Sequence, residues 1–193
     1  MGGTGVDTAT QILDVAERLV QERGFNGFSY ADVARELDIS KAALHYHYPG
    51  KAELGEALIE RYATRFAGAL VAVDARESDA AEKLQSYAQL YAEVFRDDRM
   101  CLCGMLAADY ATLPESMRER VVQFFDDNVV WLTHVLEDGR AARTLRFQGP
   151  ARSVARTLVG GLEGAMLVAR PYKDIRRFRS AASLLIDGLA VER

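Results

Sequence analysis

Residues 28–54 carry the sequence FSYADVARELDISKAALHYHYPGKAEL, which predicts two short helices separated by a tight turn. Ser29 suits the N-cap of the first helix and Ser40 the N-cap of the second, because a serine hydroxyl accepts from the free N–H groups that open a helix. The turn falls at Asp38, since aspartate enters the left-handed conformation more readily than most residues. Leu44 is expected to hold the second helix to the core.

A longer helix precedes this pair and completes a three-helix unit. Its apolar residues recur at helical spacing, and Gly24 is placed to end it. These apolar residues are Ile12, Ala16, Leu19 and Val20. A bracing helix, a short helix, a tight turn and a second short helix form the plan of a helix-turn-helix, whose last helix enters the major groove of DNA.

The second short helix contains no acidic residue, although the first 65 residues as a whole are acidic. Because the chain has a net charge of −4, global charge gives no support for nucleic-acid binding, and the case depends on this local cluster. Its side chains can donate to phosphate or base acceptors. The donors are Lys41, His45, Tyr46, His47 and Lys51. The alternative is a solvated helix whose aromatic residues merely pack.

His45 and His47 raise the further alternative of a metal site. Residues two apart on a helix point to nearly opposite sides, whereas paired ligands are three or four residues apart. We therefore predict no metal site here and no cofactor in the chain. We expect His47 to be partly packed and partly turned toward phosphate.

The run from Phe28 to Leu54 resembles the DNA-binding signature of the TetR family of transcriptional regulators, and the likeness is strong over residues 10–55. It implies an N-terminal helix-turn-helix that binds double-stranded operator DNA, and a C-terminal domain that dimerises and senses a small molecule. Three positions depart from the family pattern. These are Asp38 for the usual glycine, His45 for tyrosine and Tyr48 for phenylalanine.

The resemblance also assigns roles within the signature. It implies that Ser29 touches a backbone phosphate, that Lys51 binds another at the start of the fourth helix, and that the first turn of the reading helix contacts bases. Tyr46 and His47 match the aromatic–histidine pair of the family. The predicted DNA-binding set is Ser29, Tyr30, Ser40, Lys41, Ala42, Ala43, His45, Tyr46, His47 and Lys51.

Beyond residue 50 the pattern changes to longer amphipathic helices. We expect an all-α protein of about nine helices with no convincing strand, divided into a helix-turn-helix domain over 1–50 and a helical-bundle domain over 51–193. The stretch Asp138–Gly149 is expected to be a polar loop rich in arginine. The last helix is expected to run from about Asp174 to Val191.

Composition supports an ordinary globular protein, with 49% hydrophobic and 27% charged residues. The N-terminus lacks the features of a signal peptide, and the most apolar stretch, Thr157 to Ala169, is too short to span a bilayer and contains Glu163. Two cysteines do not make a disulfide scaffold. We expect a cytoplasmic protein with no membrane partner.

Binding a two-fold operator calls for a two-fold protein. The last two helices are the predicted homodimer interface, because Gly160, Gly161 and Gly164 allow close approach of backbones and an apolar stripe follows on the final helix. In the TetR family this pair of helices builds a four-helix bundle across the dimer. The alternative is that they complete the core of a monomer.

The middle helices carry more aromatic residues than packing requires, so part of them is expected to line a site for a small, largely apolar or electrophilic effector. The predicted ligand-binding set is Tyr87, Tyr91, Cys101, Met105, Tyr110, Phe125, Trp131 and Met166. The alternative is that these residues are core.

The run from Cys101 to Tyr110, CLCGMLAADY, resembles a segment of a TetR branch that has a cysteine at this place and includes sensors of electrophiles. Arg99 and a helix N-terminus would favour the thiolate of Cys101. The alternative is that Cys101 and Cys103 are small buried hydrophobic residues.

Two other function classes compete with a regulator. One is a small helical enzyme that uses Cys101 or Cys103 with His134; the chain has no phosphate loop, nucleophile elbow or metal-binding helix motif, so we predict that it is not an enzyme. The other is a pure dimerisation or scaffold module, which would leave the donor cluster unexplained.

Overall fold

The computed structural model describes residues 7–191. Within them the chain forms nine α-helices, which confirms the predicted all-α fold. They are α1 (Thr8–Arg23), α2 (Tyr30–Leu37), α3 (Lys41–His47), α4 (Lys51–Arg76), α5 (Ala80–Arg96), α6 (Leu102–Ala108), α7 (Glu115–Ala141), α8 (Ala151–Ala169) and α9 (Ile175–Asp187). None of these helices is long and apolar enough to cross a lipid bilayer.

The helices assemble into two compact units. One combines the N-terminal residues up to Ala63 with Leu102–Val121, and the other combines Thr64–Cys101 with the residues from Val122 onward. Helix α6 and the start of α7 therefore belong with the first three helices. The predicted boundary at residue 50 separates a DNA-binding domain from a domain for effector binding and dimerisation. This assignment of functions stays a prediction.

In the first unit, α1 buries the apolar stripe that its sequence predicts, and Ile12, Ala16 and Val20 are fully enclosed. The helix ends at Gly24, which has a φ of +82° and donates its N–H to Val20 O at 2.8 Å. This left-handed position favours glycine and redirects the chain toward α2.

Helices α2 and α3 form around the predicted caps and turn. Asp38 has a φ of +53° and a ψ of 42°, the left-handed conformation expected of it. Ser40 Oγ accepts the Ala43 N–H at 3.1 Å and so caps α3. Leu44 is fully buried and holds α3 to the unit. The helix-turn-helix is confirmed.

In the second unit, α8 packs against α9 and α5 packs against both. Helices α8 and α9 approach closely at Gly161, where a Cβ atom would lie only 2.8 Å from a methyl carbon of Leu185. A larger residue at this position would require the Leu185 side chain to shift.

Two predicted boundaries in this unit are wrong. Helix α7 continues to Ala141, so the loop expected over Asp138–Gly149 begins later, and Leu145 within this loop is buried. Leu145 packs over Gly139, where the absence of a Cβ atom makes room for it. Helix α9 ends at Asp187 and not near Val191, because the chain then turns and pairs Ala190 with Leu145 in an isolated bridge.

Candidate nucleic-acid interface and effector site

Helix α3 presents a face of exposed side chains that lacks acidic residues. Tyr46 is 84% exposed. Lys41, Ala42 and His45 are also exposed, whereas Ala43 and His47 are half-buried. The Tyr46 ring meets the His47 ring edge to face at 5.3 Å. This face is available to the groove of a duplex.

Tyr30 and His45 are fixed at one edge of this face. The Tyr30 hydroxyl donates to Tyr48 O at 2.9 Å and to Gly50 O at 2.5 Å, and burial raises the pKa of Tyr30 to about 12. The His45 ring lies 4.8 Å from the Tyr30 ring, and its Nδ1 is 3.0 Å from Pro49 O. Because a carbonyl only accepts, Nδ1 of His45 carries a proton there.

The N-cap of α2 is occupied by its own partners. Ser29 donates its backbone N–H to Asp32 Oδ2 at 2.8 Å and its hydroxyl to the same oxygen at 2.7 Å. These hydrogen bonds, together with Arg35, hold the pKa of Asp32 below its usual value. Ser29 remains exposed, so its hydroxyl oxygen can still accept or exchange partners.

Lys51 is placed differently from the other donors. Its Nζ donates to Phe25 O and to Phe28 O, each at 2.6 Å, and lies 4.6 Å and 4.4 Å from the centroids of the two phenylalanine rings. Partial burial lowers its pKa. The ammonium therefore ties the α1–α2 turn to α4 instead of pointing outward, a position that argues against a direct phosphate contact.

Asp109, which sequence reasoning missed, anchors the same turn. Its Oδ2 accepts the Phe25 N–H at 2.7 Å and the Asn26 N–H at 3.3 Å. Asn26 Nδ2 also donates to Thr112 Oγ1 at 2.8 Å. The segment after α6 is thus hydrogen-bonded to the turn that opens the helix-turn-helix, and no local pattern signals a pairing across 84 residues.

The second unit encloses a cluster of aromatic rings. Tyr87 stacks on Trp131 at 5.7 Å, and Phe66 meets the rings of Tyr87, Tyr91 and Phe124 edge to face at 5.3–6.1 Å. The two tyrosine hydroxyls are 3.2 Å apart, and Tyr87 donates to Asn128 Oδ1 at 2.9 Å. Tyr87, Tyr91 and Trp131 of the predicted ligand-binding set are therefore neighbours.

Glu163 on α8 adds a carboxyl group to this cluster. Burial raises its pKa to about 7, against the opposing effect of hydrogen bonding with the Cys101 thiol and the Tyr91 hydroxyl. Its Oε1 is out of contact with solvent and has no hydrogen-bond partner. Sequence reasoning did not assign Glu163, although a lone acid within the most apolar stretch was the available signal.

The other members of the predicted ligand-binding set lie in several places. Cys101 immediately precedes α6, and both it and Cys103 are buried and form no disulfide bond within residues 7–191. Phe125 is half-buried beside Phe124, and Met166 is buried on α8. Met105 and Tyr110 belong to the first unit. Their roles, like those of the DNA-binding set, stay predictions.

Helices α8 and α9 expose apolar side chains. Leu167, Val168 and Leu184 are between 62% and 79% exposed. Val168 and Leu184 line an open groove of about 680 Å³ between the two helices. A Cβ atom built on Gly160 or Gly164 would meet nothing within 4 Å. Among the described residues, no group of three or more His, Cys, Asp or Glu side chains is arranged to hold a metal ion.

Two family models match the chain. Residues 12–58 match "Bacterial regulatory proteins, tetR family", and residues 80–185 match "Tetracyclin repressor-like, C-terminal domain". A crystal structure of a TetR-family transcriptional regulator from Agrobacterium tumefaciens is similar, with a TM-score of 0.91 and 31% sequence identity; the match covers 95% of this chain and 97% of that one.

Two relatives with curated descriptions are also similar. The HTH-type transcriptional repressor NemR of Escherichia coli (strain K12) is 25% identical over 179 residues, which is 91% of this chain and 90% of NemR. The nucleoid occlusion factor SlmA of Marinomonas sp. (strain MWYL1) is 28% identical over 150 residues, which is 77% of this chain and 74% of SlmA.

Proposed function

The chain belongs to the TetR family of non-enzymatic, DNA-binding transcriptional regulators, and from this membership we propose that it is a repressor that binds a palindromic operator as a dimer and leaves it when an effector binds. The observation that carries the proposal is the acid-free, exposed face of α3, held to the unit by Leu44. The operator is expected near the repressor's own gene.

In this proposal the start of α3 reads base edges through Lys41, Ala42 and Ala43, as the family signature implies. Tyr46 and His47 contact the backbone beside it. The Lys51 ammonium already donates to two backbone carbonyls. We therefore propose that the phosphate is bound by the backbone N–H groups at the start of α4 instead of by the Lys51 side chain.

Two substitutions test the reading face. Lys41→Ala should change the preference among operator variants by about 1–3 kcal/mol, the size of a specific base contact. Tyr46→Ala should weaken binding to all sequences. Fluorescence anisotropy with labelled duplexes measures both, and Lys173→Ala, an exposed lysine of the second unit, is the matched control. Unaltered discrimination in Lys41→Ala would remove that residue from the proposed base contacts.

We place the dimer interface on α8 and α9, whose exposed apolar residues and groove support it. Gly160→Leu fills space that is open in the single chain, so it should leave folding intact while blocking a partner helix. Gly68→Leu is the matched control, because Gly68 is likewise an exposed helical glycine with nothing within 4 Å. Sedimentation should give a monomer for Gly160→Leu and a dimer for Gly68→Leu; a dimer in both would place the interface elsewhere.

Effector binding releases DNA by favouring a state in which the two reading helices no longer match the half-sites. One effector class is an electrophile that reacts with Cys101, which immediately precedes α6. The buried thiol and the neighbouring Glu163 carboxyl both oppose thiolate formation, so reaction would require local opening. N-ethylmaleimide should then release DNA from the wild type and not from Cys101→Ser; equal release from both would exclude this route.

A further inference from the structure

Glu163 is a half-buried residue of α8, and one oxygen of its carboxyl group is enclosed without a hydrogen-bond partner. Its Oε1 has no hydrogen-bond partner, and the groups that shift its pKa, Cys101 and Tyr91, are both neutral donors. A buried carboxylate normally has a cationic partner or a full set of hydrogen bonds, because loss of hydration is otherwise uncompensated. Glu163 Oε1 can therefore accept one further hydrogen bond or contact one further charged group. A cationic group would neutralise the ionised carboxylate.

The rings around this carboxyl suit a cation as well. Glu163 contacts Tyr91, whose hydroxyl is 3.2 Å from that of Tyr87, and the two tyrosines share Phe66 as a neighbour. Trp131 stacks on Tyr87 and closes the cluster on another side. The faces of aromatic rings carry negative potential and attract a cation within about 6 Å of the ring centroid.

We propose that Glu163 and the aromatic rings of Tyr87, Tyr91 and Phe66 bind a small organic cation, an amine or quaternary ammonium with an otherwise apolar body. The positive charge lies against Glu163 Oε1, and the apolar body packs among the rings. The proposal rests on the effector-responsive repressor described above and names a second chemical class of effector, beside the electrophile.

A cation satisfies this site better than a neutral ligand does. A neutral apolar molecule would leave the carboxylate buried without a counter-charge, and a hydroxyl donor would supply one hydrogen bond and no charge. The rings contact one another in this structure, so a ligand must separate them. Separation of Tyr87 from Trp131 makes binding visible, because Trp131 is the single tryptophan of the chain.

The experiment titrates the full-length protein with two probes of matched shape, phenyltrimethylammonium and its uncharged isostere tert-butylbenzene. Trp131 fluorescence and calorimetry report binding without any DNA. We expect saturable binding of the cation to the wild type at pH 8, where Glu163 is ionised, and at least tenfold weaker binding of the isostere. Failure of the cation to bind, or equal binding of both probes, would overturn the proposal.

Variants identify the group responsible. Glu163→Gln keeps the shape and removes the charge, and should reduce the affinity for phenyltrimethylammonium at least tenfold while leaving tert-butylbenzene unchanged. Tyr91→Phe keeps the ring and should change the affinity less than threefold. Glu82→Gln removes an exposed carboxylate of the same unit and should have no effect. Unchanged cation affinity in Glu163→Gln, with its folding confirmed by circular dichroism, would exclude Glu163 as the binding group.

The result does not depend on DNA binding. Wild-type protein that binds the cation but no duplex DNA would contradict the proposed repressor and support the cation site. Wild-type protein that binds DNA but not the cation would contradict the cation site and support the proposed repressor. Where both hold, phenyltrimethylammonium should release operator DNA from the wild type and fail to release it from Glu163→Gln at the same concentration.

Discussion

Lys51 and Glu163, one in each compact unit, are charged side chains withdrawn from solvent, and they differ in how fully they are partnered. Lys51 donates to two backbone carbonyls and lies over two rings, whereas Glu163 has one oxygen with no partner. A charge whose partners are complete forms part of the fold. A charge whose partners are incomplete marks a place where another molecule can supply the missing group.

The largest expected effect concerns Glu163 and pH. Its pKa is raised to about 7 from a model-compound value of 4.5, so ionisation opposes folding. Stability from this group is complete below about pH 4.5 and falls as pH rises through 7, by about 3 kcal/mol in total. The groups that face it are Tyr87 and Tyr91 on α5 and Cys101 before α6.

Glu163→Gln should remove this pH dependence. Relative to the wild type, the variant should gain stability between about pH 4.5 and pH 8, measured by urea unfolding at each pH. Glu82→Gln should follow the wild-type curve. A difference in the free energy of unfolding between Glu163→Gln and the wild type that is the same at all pH values would show that the Glu163 carboxylate already has a full set of partners. Glu163 would then not differ from Lys51 in this respect.

The next effect concerns Lys51. Lys51→Met should lower the free energy of unfolding by about 2 kcal/mol, because two carbonyls lose a charged donor that is only partly screened by solvent. Lys41→Met, at an exposed lysine of α3, should change stability by less than about 0.5 kcal/mol while it weakens DNA binding. Equal free energies of unfolding for the two variants would indicate that the Lys51 ammonium faces solvent and is available to bind phosphate.

A smaller effect is expected at Asp109. Asp109→Ala should destabilise the first unit by about 1 kcal/mol, since the N–H groups of Phe25 and Asn26 lose their acceptor. Hydrogen exchange should become faster at these two amides. Asp126→Ala, an exposed aspartate of α7, is the control and should leave both exchange rates as they are. Unaltered protection in Asp109→Ala would exclude this anchor.

The helix-turn-helix could be predicted because its determinants are local. Ser40, Asp38 and Gly24 act through caps and backbone conformations within a few residues of themselves, so their residue types carry the information. The contacts of Lys51 and Asp109 are with backbone atoms that are distant in sequence and come close only on folding. The residue type alone did not show whether the Lys51 ammonium points into the protein or toward solvent.

The surroundings of the proposed effector site were less predictable for the same reason. Tyr87, Tyr91 and Trp131 belong to the predicted ligand-binding set, but the hydrogen bond between Tyr91 and Glu163 depends on how α5 and α8 pack. The extension of α7 to Ala141 was also missed, because Leu145 compensates for the polar sequence around it by packing over Gly139. Tertiary contacts decide such positions.

The most direct test of the central claim, that paired α3 helices read a two-fold operator, is to sequence the duplexes that the full-length protein retains from a random pool at low salt. We predict one enriched palindrome whose half-sites are centred one helical turn or a multiple of it apart, about 10 base pairs per turn, and a changed base preference within those half-sites with Lys41→Ala. A monomeric protein that retains no sequence above the starting pool would contradict the account.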